Sequence, residues 1–563
     1  SNCTSLETFQ GSFNQLTSID VSTLTSLYDL DIKNNQLTSL DVSNNSALYA
    51  LTVRENQLTE LDLSNNTALN WVQLLDNQLS YLNMRNGLTD QIGYFNVTFN
   101  NLTCIETLDP DYAAANWTNA NGNIDDGVTF ADICYASNPS YTYVPDDNFE
   151  QALIDLGYDD VLDDYVLTAN ISGVTNLYIA YEEIVDMTGI EDFTSLTNLD
   201  LPNNQITSID LSNNTALTAL GIGGNELTTL DVSANTALTN LGVEGNSLTS
   251  LDVSSNTALT ILRCHDNQLT SLDLSNNSAL ETLSSQDNSL SSLDLSANTS
   301  LEYLSCMRNQ LTALDLSQNI SLNHLNCNSN QLTTLDLTNN SALTFVECFN
   351  NDLSTFTLNT PLLTTLSASD TELTSIDLSS CIALEQLNLS NNQLTTLDVS
   401  SNTALTELRC YYNQLTSLDV SSNTALTTLK CDYNELTSLD VSLNTALIAL
   451  NCNNSSLTSL DVSLNTALIN LNCAYNQLTY LNMKNGVTDQ FTEFLAMGND
   501  LTCIETLDPD YATANWTLAN DNIDAGVTFD VICGAEARTQ WYVATTGSDN
   551  SGSGTLASPP GQH

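Results

Sequence analysis

One repeat of this chain reads Leu415-Thr-Ser-Leu-Asp-Val-Ser-Ser-Asn-Thr-Ala-Leu426, and close copies recur every 21 residues along most of its length. A fixed period near 20 residues is the signature of a solenoid, in which each unit buries its apolar side chains only against its neighbours. The period therefore predicts the architecture. It also favours an extended, repeated surface over a closed catalytic pocket.

Each unit contains two similar halves. In one half, Leu405, Leu408 and Cys410 alternate toward the interior, and Asn413 follows three residues later. The Asn side chain can hydrogen-bond backbone groups of the neighbouring turn, so the repeats predict an asparagine ladder. That spacing resembles the leucine-rich-repeat pattern L-x-x-L-x-L-x-x-N-x-L with Cys as the third apolar residue. The half that begins at Leu415 repeats the spacing, which resembles the nested bacterial class called IRREKO. The resemblance implies a leucine-rich-repeat solenoid: a right-handed coil with a parallel β-sheet on one side, strand-like or irregular segments on the other, and few helices.

Two near-identical segments divide the chain into modules. Leu102–Tyr112 recurs almost unchanged as Leu501–Tyr511, each after the last regular repeat of an array, so we interpret both as C-terminal caps. The segment from Val144 resembles the N-terminal caps of secreted leucine-rich-repeat proteins of Bacteroidota. The expected organisation is a first module at 1–134, truncated at its N-terminus and capped at about 85–134; a linker at 135–143; a second module at 144–534, with an N-terminal cap at 144–190, repeats at about 191–484 and a C-terminal cap at 485–534; and a tail at 535–563 that begins a further, truncated domain.

Two segments outside the repeats carry their own signals. Asp147 and Glu150 fit a capping box at the start of a short amphipathic helix, with Phe149, Leu153 and Leu156 on one face. The tail resembles the opening of right-handed parallel β-helix domains of the pectate-lyase-like kind. That resemblance implies further domains of the same chain beyond the sequence at hand.

Charge and cysteine spacing limit the partners and the compartment. The net charge of −58, with nine Lys and Arg, argues against nucleic acid, which needs a basic surface. No apolar run approaches the ~20 residues of a membrane span, so we expect no membrane insertion. Two cysteine pairs with identical spacing, Cys104 with Cys134 and Cys503 with Cys533, predict one disulfide per cap, although buried thiols are the alternative. Disulfides indicate an oxidising compartment, and we expect an extracellular protein, secreted or attached to the cell surface.

Two columns of identical residues repeat along the coil. The cysteines from Cys264 to Cys473 at the third inward position are interpreted as core residues, because a line of thiols does not converge on a metal. Aspartates point outward and would repel one another, which should raise their pKa values or recruit cations. Calcium between adjacent turns is one hypothesis, and hydrogen bonding to nearby Ser, Thr or backbone groups is the other. The candidate calcium column is Asp210, Asp231, Asp252, Asp273, Asp294, Asp315 and Asp336.

The outward positions of the Cys-containing strands vary from unit to unit, and function is expected there. Tyr and Arg are enriched at binding hot spots, and one cluster combines them. Its members are Glu407, Arg409, Tyr411, Tyr412, Lys430, Asp432, Tyr433 and, two units on, Tyr475. Ordinary surface variation is the alternative.

These features favour non-catalytic recognition or adhesion, with a protein or a polysaccharide at the cell surface as the partner. The alternative is a structural spacer or filament component of the cell surface, with calcium on the acidic column. Stacked threonines leave ice binding as a minor possibility. Three histidines in the whole chain argue against Ser–His or metal–His catalysis. We expect no cofactor other than calcium.

Overall fold

The computed structural model describes residues 5–134 and 138–534. These residues form two compact units. Unit 1 comprises Ser1–Leu199 and Asn203–Ala216, and unit 2 comprises Asp200–Pro202 and Leu217–His563. The predicted tail domain at 535–563 lies outside the described residues, and the predicted linker does so at 135–137. In the described part, no helix is both long and apolar enough to span a membrane.

Unit 1 contains a parallel β-solenoid. Its front sheet has five short strands, with partners 21 residues apart over its first four, as in Leu30 opposite Leu51. The central residue of each strand points inward, so the leucines of successive turns pack into one continuous core. The front strands are Thr8–Gln10, Asp29–Asp31, Ala50–Thr52, Trp71–Gln73 and Tyr94–Asn96. A second sheet on the other side of the coil has the strands Glu60–Asp62, Tyr81–Asn83, Cys104–Glu106 and Thr129–Ala131.

Helices in unit 1 lie outside the regular turns. Helix α1 spans Pro110–Asn116, α2 spans Asp147–Asp155, α3 spans Thr168–Ile171, and a 3-10 turn spans Ile190–Asp192. Tyr141–Tyr143 pairs antiparallel with Tyr165–Leu167. The remaining strands before unit 2 are Asn176–Tyr178 and Asn198–Asp200.

The predicted capping box of α2 is wrong by one residue. Asp146 is the N-cap, and its side chain accepts the backbone N–H groups of Asn148 and Phe149, both at 3.0 Å. Asp146 can do so because it keeps an extended backbone, whereas Asp147 is already helical. Leu156, expected on the apolar face, is 47% exposed, because the helix ends at Asp155.

Unit 2 is a longer parallel solenoid, as the repeat period predicts. Fourteen strands of its described residues form the front sheet, and Leu408, Leu429 and Leu450 align in register inside it. These strands are Ala219–Gly221, Asn240–Gly242, Ile261–Arg263, Thr282–Ser284, Tyr303–Ser305, His324–Asn326, Phe345–Glu347, Thr365–Ser367, Gln386–Asn388, Glu407–Arg409, Thr428–Lys430, Ala449–Asn451, Asn470–Asn472 and Glu493–Leu495.

The back of unit 2 is mostly irregular. Strands occur in two places among its described residues, near the predicted C-terminal cap and at one turn in the middle of the unit. They are Thr334–Leu337, Thr355–Leu358, Ser459–Asp461, Tyr480–Met483, Cys503–Thr506 and Thr528–Asp530. The middle pair includes a repeat of 20 residues instead of 21, between Leu353 and Leu373. In it, Thr357 replaces the usual Asp and donates to Asp336 at 2.8 Å. Helix α4 spans Pro509–Asn515, and 3-10 turns span Thr488–Gln490 and Leu518–Asn520.

Two columns of buried asparagines tie the turns together. Asn434 donates to the carbonyls of Cys410 and Cys431, each at 3.0 Å, and accepts the backbone N–H of Leu415 at 3.0 Å. In the second column, the side-chain amide donates hydrogen bonds: Asn423 donates to the carbonyls of Val399 and Asn402 at 3.0 and 2.8 Å. Because each side chain bonds residues of an earlier turn, the predicted asparagine ladder is confirmed.

The two predicted C-terminal caps share one geometry. Each contains the predicted disulfide, Cys104–Cys134 in unit 1 and Cys503–Cys533 in unit 2. In each cap, a tryptophan closes the apolar end of the coil. Trp117 packs against Phe95 at 4.0 Å between ring centroids, and Trp516 packs against Phe494 at 4.1 Å. The covalent loop and the aromatic cover together protect core side chains that would otherwise face water.

Candidate functional site

The predicted cluster lies on, and directly after, interior strands of the front sheet of unit 2. The strands Glu407–Arg409 and Thr428–Lys430 pair in parallel, which places Arg409 opposite Lys430. Glu407 forms an ion pair with Arg409. The two basic side chains are thus neighbours on a surface of strongly acidic composition, and only one of them has an acidic partner on its own strand.

Two tyrosines form an exposed stack beside these charges. Tyr412 and Tyr433 lie on consecutive turns, with ring centroids 4.1 Å apart and planes 17° apart. They remain 48% and 40% exposed. Tyr411 meets Tyr412 edge-on at 5.9 Å. The structure therefore presents a contiguous aromatic surface next to Arg409, of the composition found at the centres of protein interfaces.

The tyrosines occupy an unfavourable backbone conformation. Tyr412, Tyr433 and Tyr475 have φ angles of 51°, 51° and 54°. This left-handed region suits Gly, Asn and Asp, and a bulky side chain there is uncommon. Each tyrosine directly precedes a ladder asparagine, a position that other turns fill with residues such as Gly224, Asp266 or Asn391. The aromatic side chains are therefore present at a cost to folding.

One member of the predicted cluster, Asp432, is less exposed than expected. Asp432 is only 7% exposed, and burial raises the pKa of its carboxyl group above the usual value. Asp432 cannot serve as the exposed contact that the sequence suggested. Tyr475 is exposed but separated from the stack by the turn that carries Asn454.

The sequence interpretation missed a general rule about the position before the ladder asparagine. In unit 1 the same left-handed position holds Phe13 and Phe99, with φ angles of 57° and 60°, and both rings are exposed. The signal was available in the sequence, since Gly, Asn or Asp fills this column in many other turns. An aromatic residue in such a column marks a candidate contact.

Other stacked rings follow the front sheets. His324 lies between Tyr303 and Phe345, with centroid distances of 4.5 and 4.3 Å, and burial lowers the pKa of its imidazole. In unit 1, Trp71 stacks on Tyr94 at 4.1 Å. Because the strands pair in register, equivalent positions of successive turns lie side by side in the sheet. Aromatic residues at those positions therefore stack.

The aspartate column closes local turns. Each candidate calcium aspartate accepts the backbone N–H of the residue two positions later at 2.9–3.0 Å, as Asp252 does from Ser254. Hydrogen bonds from Ser254 lower the pKa of Asp252, and the repulsion from Asp231 is the weaker effect. The same direction holds from Asp231 to Asp336. The expectation that mutual repulsion raises these pKa values is wrong, because the local turn provides donors to each carboxylate.

The cysteine column lies in the core. Its eight members are Cys264, Cys306, Cys327, Cys348, Cys410, Cys431, Cys452 and Cys473, and all are buried. Burial raises the pKa of Cys264 to about 12, so the protonated thiol is the form present near neutral pH. Cys381 belongs to the second asparagine column, where its carbonyl accepts Asn402 at 2.8 Å.

Comparisons with known proteins place the fold. The functional domain of InlJ from Listeria monocytogenes, whose structure is described as including a cysteine ladder, is 37% identical to this chain, with a TM-score of 0.58; the match covers 65% of this chain and 82% of that one. A leucine-rich-repeat protein of Leptospira interrogans is 23% identical, with coverage of 63% and 95% and a TM-score of 0.50.

A plant peptide hormone receptor, RGFR1 in complex with RGF2, is 16% identical, with coverage of 94% and 88% and a TM-score of 0.50. At these lower identities, the second and third likenesses show the fold alone. No protein-family model matches the chain, and no curated protein sequence matches it.

Proposed function

The chain belongs to the leucine-rich-repeat proteins, and on that premise we propose that it is a non-catalytic extracellular recognition or adhesion module. Its partner is a protein or a glycan of a cell surface, bound at the front sheet of unit 2. The binding surface consists of Arg409, Tyr411, Tyr412, Lys430 and Tyr433. The two cap disulfides support an oxidising compartment.

One observation carries the proposal: exposed, stacked tyrosines occupy left-handed turns beside two basic side chains. Folding alone would favour Asn or Gly at positions 412 and 433. Residues retained against the preference of the backbone point to selection for another property, and residues held in unfavourable conformations cluster at functional sites. A large, rigid aromatic surface with adjacent cations is suited to binding.

Replacing the tyrosines by Asn separates binding from folding. In the Tyr412→Asn, Tyr433→Asn double variant, relief of the left-handed strain is about 1 kcal/mol at each of the two positions. The loss of the single ring stack costs about 1 kcal/mol and partly offsets that gain. The free energy of unfolding should therefore stay within about 1 kcal/mol of the parent value. The labelled full chain is screened on a glycan array and on an array of cell-surface proteins, and each hit is measured again with the variant.

We expect the double variant to lose at least about tenfold in affinity, the usual scale for removal of a hot-spot residue. Ser329→Asn is the matched control, because Ser329 has a φ of 54° at the same position of another turn and carries no ring. Unchanged affinity in the double variant, or an equal loss in the control, would contradict the proposed surface.

The second candidate function is a structural spacer or filament component of the cell surface. Its support is the length of the regular array and the exposed column from Asp210 to Asp336, which we retain as a hypothetical calcium site. A spacer predicts no hits on either array. Calcium binding by the column predicts that Asp252→Asn lowers the calcium-dependent gain in melting temperature, and an identical gain in the variant would contradict it.

A further inference from the structure

Three carboxylates converge near the start of α2 in unit 1. Asp147 and Glu150 lie in its first turn, three residues apart and therefore on one side of the helix. Asp164 immediately precedes the strand Tyr165–Leu167. One carboxylate oxygen from each residue lies within 4.8 Å of the others. The sequence predicts a capping role for Asp147 and Glu150 alone, and none for Asp164.

Glu150 is the unusual member of the group. It is fully buried, and its Oε1 accepts the backbone N–H groups of Asp163 and Tyr165 at 2.8 and 3.2 Å. Its Oε2 is equally inaccessible and has no hydrogen-bond partner among the described residues. A buried carboxylate oxygen without a donor or a cation is costly, and nearly all buried polar atoms in proteins are satisfied.

The surrounding sequence offers no basic side chain to neutralise these charges. No Lys or Arg occurs between Arg85 and Arg263. The helix N-terminus is also occupied, because Asp146 takes the exposed N–H groups of the first turn. The charge of the cluster is therefore left to a cation from solution.

We propose that Asp147, Glu150 and Asp164 bind a calcium ion. Calcium takes oxygen ligands at about 2.3–2.6 Å in flexible geometry and accepts water among them. Two oxygens bound to one ion can be at most about 4.8 Å apart at a bond length of ~2.4 Å, which the group satisfies. Asp147 and Asp164 are accessible to solvent, so water can complete the coordination. Magnesium is disfavoured, because its bonds of about 2.0–2.1 Å and strict octahedral geometry require a tighter group.

The ion would connect two parts of the N-terminal cap. Asp147 and Glu150 belong to α2, whereas Asp164 follows the acidic loop after Gly157. Calcium would hold the loop against the helix and reduce repulsion among Asp159, Asp160 and the cluster. The site is separate from the outward aspartate column and from the tyrosine surface, so its test does not depend on either of them.

The test uses the full chain and calcium alone as the ligand. The dissociation constant is measured by calorimetry, and hydrogen exchange of residues 158–165 is compared with calcium and with chelator. Asp164→Asn is the principal variant, since Asn tolerates the φ of 68° at this position. Asp155→Asn is the control, because Asp155 is exposed, lies on the same helix and carries the same charge outside the cluster.

We expect calcium to slow exchange in residues 158–165, and Asp164→Asn and Asp147→Asn each to weaken that site at least tenfold. Asp155→Asn should bind as the parent does. Glu150→Gln should abolish binding, and if that variant fails to fold, the two aspartate variants decide. No calcium-dependent protection in residues 158–165 at millimolar calcium would overturn the proposal. Equal protection by magnesium, or equal binding in both aspartate variants, would do so as well.

Discussion

Replacing Asn434 by Ala tests the asparagine ladder against a matched position in the same array. Asn434 belongs to the first column, and Asn423 belongs to the second. Both are buried side chains of identical chemistry in adjacent halves of the repeat. Their main difference is that Asn434 accepts the N–H of Leu415, whereas Oδ1 of Asn423 has no partner among the described residues. Asn434 also makes a longer contact to the carbonyl of Asp432 at 3.2 Å.

The difference gives an expected magnitude. Asn434→Ala removes two donated bonds of 3.0 Å, the longer shared contact to Asp432 and one accepted bond, and it leaves the N–H of Leu415 unpaired. At about 1 kcal/mol for each bond and at least a further ~1 kcal/mol for the orphaned N–H, the loss is about 4 kcal/mol. Asn423→Ala removes two donated bonds, and it also removes an unsatisfied oxygen, so its loss is about 1–2 kcal/mol.

Urea unfolding of the full chain measures both losses, and hydrogen exchange locates them. A long array unfolds in parts, so the local readout is needed: exchange of the Leu415 amide should accelerate far more in Asn434→Ala than in Asn423→Ala. If Asn423→Ala destabilised the protein as much as Asn434→Ala, the accepted hydrogen bond would not be the source of the ladder's strength, and the reasoning would fail.

Three further predictions concern the caps and the core. Replacing Cys104 and Cys134 together by Ser should destabilise unit 1 by about 3–4 kcal/mol, the chain-entropy value for a closed loop of this length. Urea unfolding of the variant measures this loss, and an unchanged unfolding midpoint would refute the prediction. In unit 2, Lys484 lowers the pKa of Glu505. The pair therefore stabilises the fold above the ordinary pKa of a glutamate, and that stability is lost as the pH falls through the lowered pKa. The Lys484→Met variant should unfold at a higher pH than the parent in acid titrations, and an unshifted unfolding midpoint would argue against the pair. Because burial raises the pKa of Cys264, this thiol and its column should resist a thiol-specific reagent in the folded chain and react in denaturant; fast labelling under native conditions would show that the column is accessible.

The sequence predicted those features that depend on spacing alone. The 21-residue period predicts the coil, the asparagine ladder and the inward cysteines because each is a property of one position in every unit. Both disulfides also follow from spacing, since Cys104–Cys134 and Cys503–Cys533 repeat the same separation. In such cases a position in the sequence corresponds directly to a position in space.

Features that depend on tertiary context could not be predicted in this way. Ser459-Leu-Asp461 is a strand, whereas the identical Ser417-Leu-Asp419 is irregular, so pairing with the adjacent turn decides the state of the back side. Asp432 is buried, although the repeat pattern places it among the outward positions. The hydrogen bonding of Glu150 depends on a loop more than ten residues away, whose backbone N–H groups donate to one of its carboxylate oxygens.

The asparagine ladder has a consequence for how such a gene can change. Its hydrogen bonds join residues a fixed distance apart along the chain, as in the recurring bonds of Asn402, Asn423 and Asn444 to the preceding turn. Recombination between near-identical repeats removes or adds whole units, and every remaining asparagine then meets an equivalent partner. The array can therefore lengthen or shorten during evolution without a compensating mutation. The stack of Tyr412 on Tyr433 spans two units, so loss of either unit removes one ring and breaks the stack.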